Sequence, residues 1–260
     1  MKTILLTGAG SGFGRLVSFQ LAALGWDVTA GCENWPQVTK LRNEIKEKGL
    51  DSNIKVIKLD VTDEYDREKA IKENNPDVFL YDAGIMESGA VLEVPQKVLQ
   101  RVFDINVFSG VALIQGFGRK MVERKSGKII WVSSIAGIQH FPFFGPYCAS
   151  KFAVEALAAS ANEELAPFGV KVCTVNPGPF LTGFNDTGFE AMNQWRDLGG
   201  YKLPVDPAGD WLENQYDPEI MVKVIVDTVT DENPKFRNFA PEEMIAQAKN
   251  YQQDRWDTKA

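Results

Sequence analysis

In the stretch "YCASK", Tyr147 and Lys151 stand four residues apart. On a helix, that spacing puts both side chains on one face. A phenol ordinarily titrates near about 10, and a neighbouring ammonium stabilises the phenolate and lowers that value. A tyrosine so supported exchanges a proton with an alcohol or a carbonyl near neutral pH. Upstream, Ser133 and Ser134 close the apolar run "KIIWV". At the carboxyl end of a strand, such a hydroxyl can hydrogen-bond a substrate oxygen whose charge changes during reaction. Alone, the Tyr–Lys pair is equally the mark of an ordinary surface helix. Its weight comes from what accompanies it.

The first companion is "TGAGSGFG", Thr7 to Gly14, directly after the apolar run "TILLT". Gly8, Gly12 and Gly14, with Ser11 and Phe13 between them, have the spacing of a nucleotide-binding turn. Glycines there let the backbone approach a pyrophosphate and aim the positive end of a helix at it. The competing reading is a tight structural turn. At the end of the second strand, an acid binds ribose hydroxyls and a base holds an extra phosphate. Cys32 and Glu33 occupy that place, Ser11 is uncharged, and Arg15 falls on the helix surface. The expectation is therefore NAD over NADP, although the usual aspartate is missing. Asp60 and Val61 suit the adenine edge, with a helix cap as the alternative role for Asp60.

These residues need a frame, and hydrophobic periodicity supplies it. Strands are expected at 3–7, 26–31, 54–61, 77–84, 128–134, 170–178 and 235–240. Helices are expected at about 14–24, 36–48, 64–74, 95–124 and 147–166. Such alternation implies an α/β fold with a doubly wound parallel sheet of about seven strands and helices on both faces. No linker divides residues 1–260, so one domain is expected. The least regular stretch is 179–216. Its Phe180, Leu181, Phe184, Phe189, Trp195 and Trp211 favour a lid over the site.

The net charge of −7, without a basic run, argues against nucleic acid. Three cysteines fit neither a disulfide framework nor a metal site, so no metal is expected. Neither a secretory leader nor a membrane span is read, which makes the cytoplasm the default location.

TGAGSGFG, Asn106 in "FDINVFSG", the serine of "VSSIAG", "YCASK" and "NPGPFLTG" occur in that order. Together they resemble the short-chain dehydrogenases/reductases, over about residues 1–183. The resemblance implies a Rossmann fold, an NAD(P) cofactor, and hydride transfer between nicotinamide and a carbonyl or alcohol carbon. It makes Tyr147 the acid/base, and Lys151 the residue that holds the nicotinamide ribose and lowers the tyrosine pKa. The family's spacing selects Ser134 over Ser133. Asn106 matches a residue whose backbone, in a kinked long helix, holds a proton-relaying water. Pro177 and Gly178 line the nicotinamide, and Thr182 contacts its carboxamide or the phosphates. Asp82, Ala83 and Gly84 fall in the cofactor-binding turn after the fourth strand. Family members usually carry Asn-Asn-Ala-Gly there, whereas this chain has Tyr81-Asp82-Ala83-Gly84. Asp82 keeps an acceptor for a nearby backbone amide but brings a carboxylate close to the cofactor.

His140, the only histidine, lies between the serines and the tyrosine. A triad with Ser134 and Asp82 lacks a nucleophile elbow. His140 is instead expected to line the substrate together with Phe144 and Phe180, beside Ser134 and Tyr147. The wording "PYCASKFAVEAL" looks most like steroid- and retinol-oxidising branches of the family, implying a fairly hydrophobic secondary alcohol or ketone. Two other readings stand beside this one: a non-catalytic dinucleotide-sensing module, and a lyase or dehalogenase of the same fold. The first should have lost Tyr or Lys. The second should carry an arginine in place of Lys151. By the family's habit, the long helices pair across a two-fold axis into a homodimer or homotetramer.

Overall fold

The computed structural model describes residues 2–50, 52–196 and 213–259. Seven strands form one sheet: β1 (Thr3–Leu6), β2 (Asp27–Cys32), β3 (Ile54–Lys58), β4 (Val78–Tyr81), β5 (Gly127–Val132), β6 (Val170–Pro177) and β7 (Arg237–Ala240). Their order is β3-β2-β1-β4-β5-β6-β7, and every neighbouring pair is parallel. The order reverses between β1 and β4. A doubly wound sheet opens its ligand crevice there, at the carboxyl ends of the strands.

Side chains alternate across the strands, so each strand feeds two cores. Ile4 and Leu6 pack with α1 (Gly12–Ala23), α2 (Trp35–Glu47) and α8 (Pro218–Thr230). Leu5, between them, faces the opposite core with α3 (Glu64–Glu73), α5 (Ser109–Glu123) and α6 (Gly145–Leu165). Each fully buried Leu or Ile contributes roughly 1.5–3 kcal/mol of transfer free energy. Two faces buried in this way explain why the strands read as near-continuous apolar runs. Asn34 caps α2 by accepting from the Gln37 amide at 3.0 Å, and Asp63 caps α3 through the Asp66 amide. The expected cap role for Asp60 therefore belongs to Asp63.

Three differences from the sequence reading stand out. The expected helix at 95–124 is α4 (Gln96–Phe103), a π turn (Asp104–Phe108) and α5. The expected lid contains α7 (Phe184–Asn193), while 197–212, with Trp211, lie outside the described residues. Helices α8 and α9 (Glu243–Asp254) were not expected. The α8 sequence, "PEIMVKVIVDTVT", is rich in β-branched residues that disfavour isolated helix. It is helical because Met221, Val222, Ile225 and Val229 bury a stripe in the first core. The cysteines are buried and unpaired. No described helix is long and apolar enough to cross a membrane.

Candidate functional site

β1 runs into Gly8, at φ +72°, and Gly12, at φ +52°. Side-chain-bearing residues rarely adopt that backbone, so glycine is required at both. At Gly14 the reason is space: a Cβ would lie 2.8 Å from the Gly8 carbonyl oxygen and 2.8 Å from Asp82 Oδ2. Helix α1 starts here, and Ser11 at its N-cap spends no side-chain bond on it. The helix head thus presents amides suited to a pyrophosphate. One of them is already engaged, since Gly14 N donates to Asp82 Oδ2 at 2.8 Å. The Thr7 hydroxyl accepts from the amides of Asp82 and Ala83, both at 3.0 Å, and ties β4 to β1.

A cleft of about 1190 Å³ follows the carboxyl edge of the sheet. At one end lie Glu33, Asp60 and Val61. The Gln37 side chain accepts from the Glu33 amide at 3.1 Å and donates to the Glu33 carboxylate at 3.4 Å. Gln37 escaped the sequence reading, though its place four residues after Glu33 was a signal. Asp60 Oδ1 accepts from both the amide and the hydroxyl of Thr62. Arg15 is spent on Glu44 at 2.7 Å. Arg67, a cation the sequence analysis did not single out, lines the cleft but donates to the Val61 carbonyl. The glycine loop and Asp82–Gly84 form the middle of the cleft, and Pro177, Gly178 and Thr182 face them. A Cβ on Gly12 would touch Thr182 at 3.7 Å, so the two segments meet. A glycine cradle, an open helix head and an acid, Glu33, farther along the cleft together fit a dinucleotide.

At the other end the cleft is lined by Ser134, Tyr147 and Lys151. Lys151 is buried, and Nζ donates to the Val132 carbonyl at 2.9 Å. Ser134 accepts from the Ala136 amide at 3.1 Å. Asn106 is fully buried in the π turn. Its side chain brackets Ile85, accepting from the amide and donating to the carbonyl, and also donates to Ser150. A π turn shifts the helix hydrogen bonds by one residue, and it interrupts the long helix at Asn106.

Charge states here are set by burial. Burial pushes the Tyr147 phenol above its ordinary value, while a hydrogen bond with Ser134 pulls the other way. The Lys151 Nζ lies 5.7 Å from the phenol ring centroid, and burial costs the lysine itself, lowering its pKa to about 8. Asp82 and Glu155 oppose that loss. Burial also lifts the Asp82 carboxyl to about 7, against the pull of the Gly14 amide and Lys151.

The Tyr147 end of the cleft is aromatic. Phe144 and Phe189 meet edge to face at 5.4 Å, and Phe184 lies 5.9 Å from Tyr147. Phe180 lines the cleft but packs on Phe13 at 5.5 Å, toward the glycine loop. His140 does not join them. It is exposed, and its ring turns away to bond Tyr251 of α9. Its neighbours Ile135 and Ile138 are buried toward α9, and that packing carries the histidine outward. Glu87, buried in the loop after β4 and lining the cleft, was overlooked. Its only signal was a charge in the apolar context "AGIMESG".

A sequence model of a protein family described as short chain dehydrogenase matches residues 2–193. An L-2,3-butanediol dehydrogenase of Corynebacterium glutamicum is 37% identical over 190 residues, covering 70% of this chain and 73% of the relative. A short-chain dehydrogenase from Streptomyces avermitilis superposes with a TM-score of 0.81 at 26% identity, over 97% of this chain and 92% of the other. A Burkholderia phymatum short chain dehydrogenase/reductase in complex with NAD reaches 0.83 at 19% identity, over 97% and 93%, which shows the fold alone.

Proposed function

The chain belongs to the short-chain dehydrogenase/reductase family of NAD(P)-dependent oxidoreductases, and from that membership we propose its reaction. It transfers a hydride between NAD and a fairly hydrophobic secondary alcohol or ketone. One observation carries this reading: Tyr147, Ser134 and Lys151 line one end of a cleft whose other end fits a dinucleotide.

In the reductive direction, the Tyr147 hydroxyl donates its proton to the carbonyl oxygen. The Ser134 hydroxyl hydrogen-bonds the same oxygen as negative charge develops on it. Lys151 holds the nicotinamide ribose and stabilises the phenolate left behind. In oxidation, the phenolate takes the alcohol proton. A dinucleotide held there would supply or accept the hydride. The glycine loop would hold its pyrophosphate, Asp60 and Val61 its adenine, and Pro177, Gly178 and Thr182 its nicotinamide. Asn106 braces the turn after Gly84 and serves the proton relay. The Phe144, Phe184 and Phe189 rings flank the substrate body.

Glu33 supports NAD over NADP, because Gln37 keeps its carboxylate in place at the ribose end. An extra phosphate there meets like charge. Glu33→Arg should therefore improve the NADP Kd by about tenfold or more and weaken NAD binding, shifting preference by roughly 1.4 kcal/mol per decade. Equal NAD and NADP constants in both proteins would contradict this assignment. A homodimer or homotetramer goes with the reading, since Phe152 and Leu157 of α6 and Phe108 of the π turn remain exposed.

The test is absorbance at 340 nm with NAD or NADP and a panel of secondary alcohols. Because a relative is a butanediol dehydrogenase, 2,3-butanediol belongs in the panel beside bulkier alcohols. Turnover supports the proposal. Tight dinucleotide binding without turnover on any alcohol or ketone would support the sensing module instead.

A further inference from the structure

The loop from 85 to 94, after β4, holds two carboxylates that the reaction above does not use. Glu87 is 3% exposed. Its Oε2 accepts from Trp195 Nε1 at 3.2 Å, and its Oε1 lies 3.8 Å from Arg101 of α4. Glu93 accepts from Arg196 Nε at 3.0 Å. Trp195 and Arg196 follow α7, the helix that carries Phe184 and Phe189 to the substrate end.

The backbones close in at the same place. A Cβ on Gly89 would lie 2.4 Å from the Trp195 ring, and one on Gly188 would lie 2.5 Å from Met86. Ser88 Oγ donates to the Gly188 carbonyl at 3.3 Å. The same loop reaches the other aromatic wall, since Gly89 N donates to the Phe143 carbonyl at 2.6 Å. Both walls of the substrate end thus hang on one loop.

A buried carboxylate is a costly way to join two elements when an apolar contact would serve. What it adds is direction: the acceptor accommodates the indole N–H in one orientation. We propose that Glu87 is a positioning residue that holds Trp195, and with it α7, so that Phe184 and Phe189 keep their places beside Tyr147. The proposal rests on the hydride-transfer reading for its kinetic consequence, but not for its structural one.

The experiment compares the full chain with Glu87→Leu, Glu87→Gln and Trp195→Phe. Amide hydrogen exchange needs no substrate and so tests the positioning apart from the reaction. In Glu87→Leu, amides of 184–196 should exchange about tenfold faster or more while the sheet is unchanged. Trp195→Phe, which keeps the ring but loses the donor, should move the same amides in the same direction. Glu87→Gln keeps an acceptor for the indole and should restore protection. With a ketone that the protein reduces, Glu87→Leu should raise KM about tenfold with kcat within about threefold, and Glu87→Gln should return both toward the parent.

Unchanged exchange over 184–196 in both Glu87→Leu and Trp195→Phe overturns the proposal. So does protection lost evenly across the chain, with Glu87→Gln no better than Glu87→Leu, because that is the mark of general packing. If Glu87→Leu fails to fold, Trp195→Phe against the parent decides alone. Faster local exchange in a protein that reduces no carbonyl would leave the positioning standing and sink the hydride-transfer reading.

Discussion

Tyr147→Phe should lower kcat by about 10³-fold, within the usual range for loss of a positioned general acid or base. The variant keeps the ring, which is 8% exposed and packed on Phe184 at 5.9 Å. It loses only the hydroxyl that exchanges the proton. Lys151 and the glycine loop are untouched, so the NAD Kd should stay within about threefold of the parent. The pH dependence follows from burial, which holds the phenol protonated at neutral pH. Ketone reduction needs that proton and should be flat across neutral pH. Alcohol oxidation needs the phenolate and should rise with pH. Steady-state kinetics in both directions, with fluorescence titration of NAD, check this. A variant that turns over as fast as the parent ends the proposed chemistry.

Asp82→Asn should stabilise the protein by about 2 kcal/mol above neutral pH and change little near pH 4. The carboxyl is raised from 3.8 to about 7, chiefly by burial. An unfolded chain releases this proton at the lower value, whereas the native state retains it. Native stability therefore falls as pH climbs from about 4 to about 7. Asparagine does not titrate and escapes that fall, while its carbonyl oxygen can still accept from Gly14 N. The whole shift corresponds to about 4 kcal/mol. Two effects cut it down. Asp82 is only half-buried at the cleft, so water screens part of the cost, and Lys151 loses a carboxylate that favours its charge. Cofactor affinity should follow the same titration. An ionised carboxylate at the head of α1 repels the pyrophosphate, so the parent's NAD Kd should weaken through pH 7 and the variant's should not. Urea unfolding and NAD titration at pH 5 and pH 8 test both. Identical midpoints and identical constants would show that the carboxylate has no such influence.

The local rules carried far in this chain. Alternating apolar runs and helical periodicity are short-range patterns, and they placed the seven strands and the helices up to α6. The Tyr147–Lys151 face needs only one turn of helix. The glycine turn was legible because strand, tight turn and helix head are consecutive in sequence. Local rules failed at α8, where β-branched residues hide a helix that tertiary burial stabilises. They failed also at His140, whose direction depends on Tyr251, 111 residues away.

By itself, then, the order of residues determined the doubly wound sheet, the tight glycine turn after β1 and the identity of Ser134, Tyr147 and Lys151 at one end of the cleft. Each of these depends on neighbours within a few turns of chain. Only the tertiary structure decided that burial outweighs the Ser134 hydrogen bond in setting the Tyr147 proton. It alone decided that Asp82 binds Gly14 across 68 residues and that Glu87 meets Trp195 across 108. Desolvation and long-range contacts belong to the folded space around a group, and no local spacing encodes them.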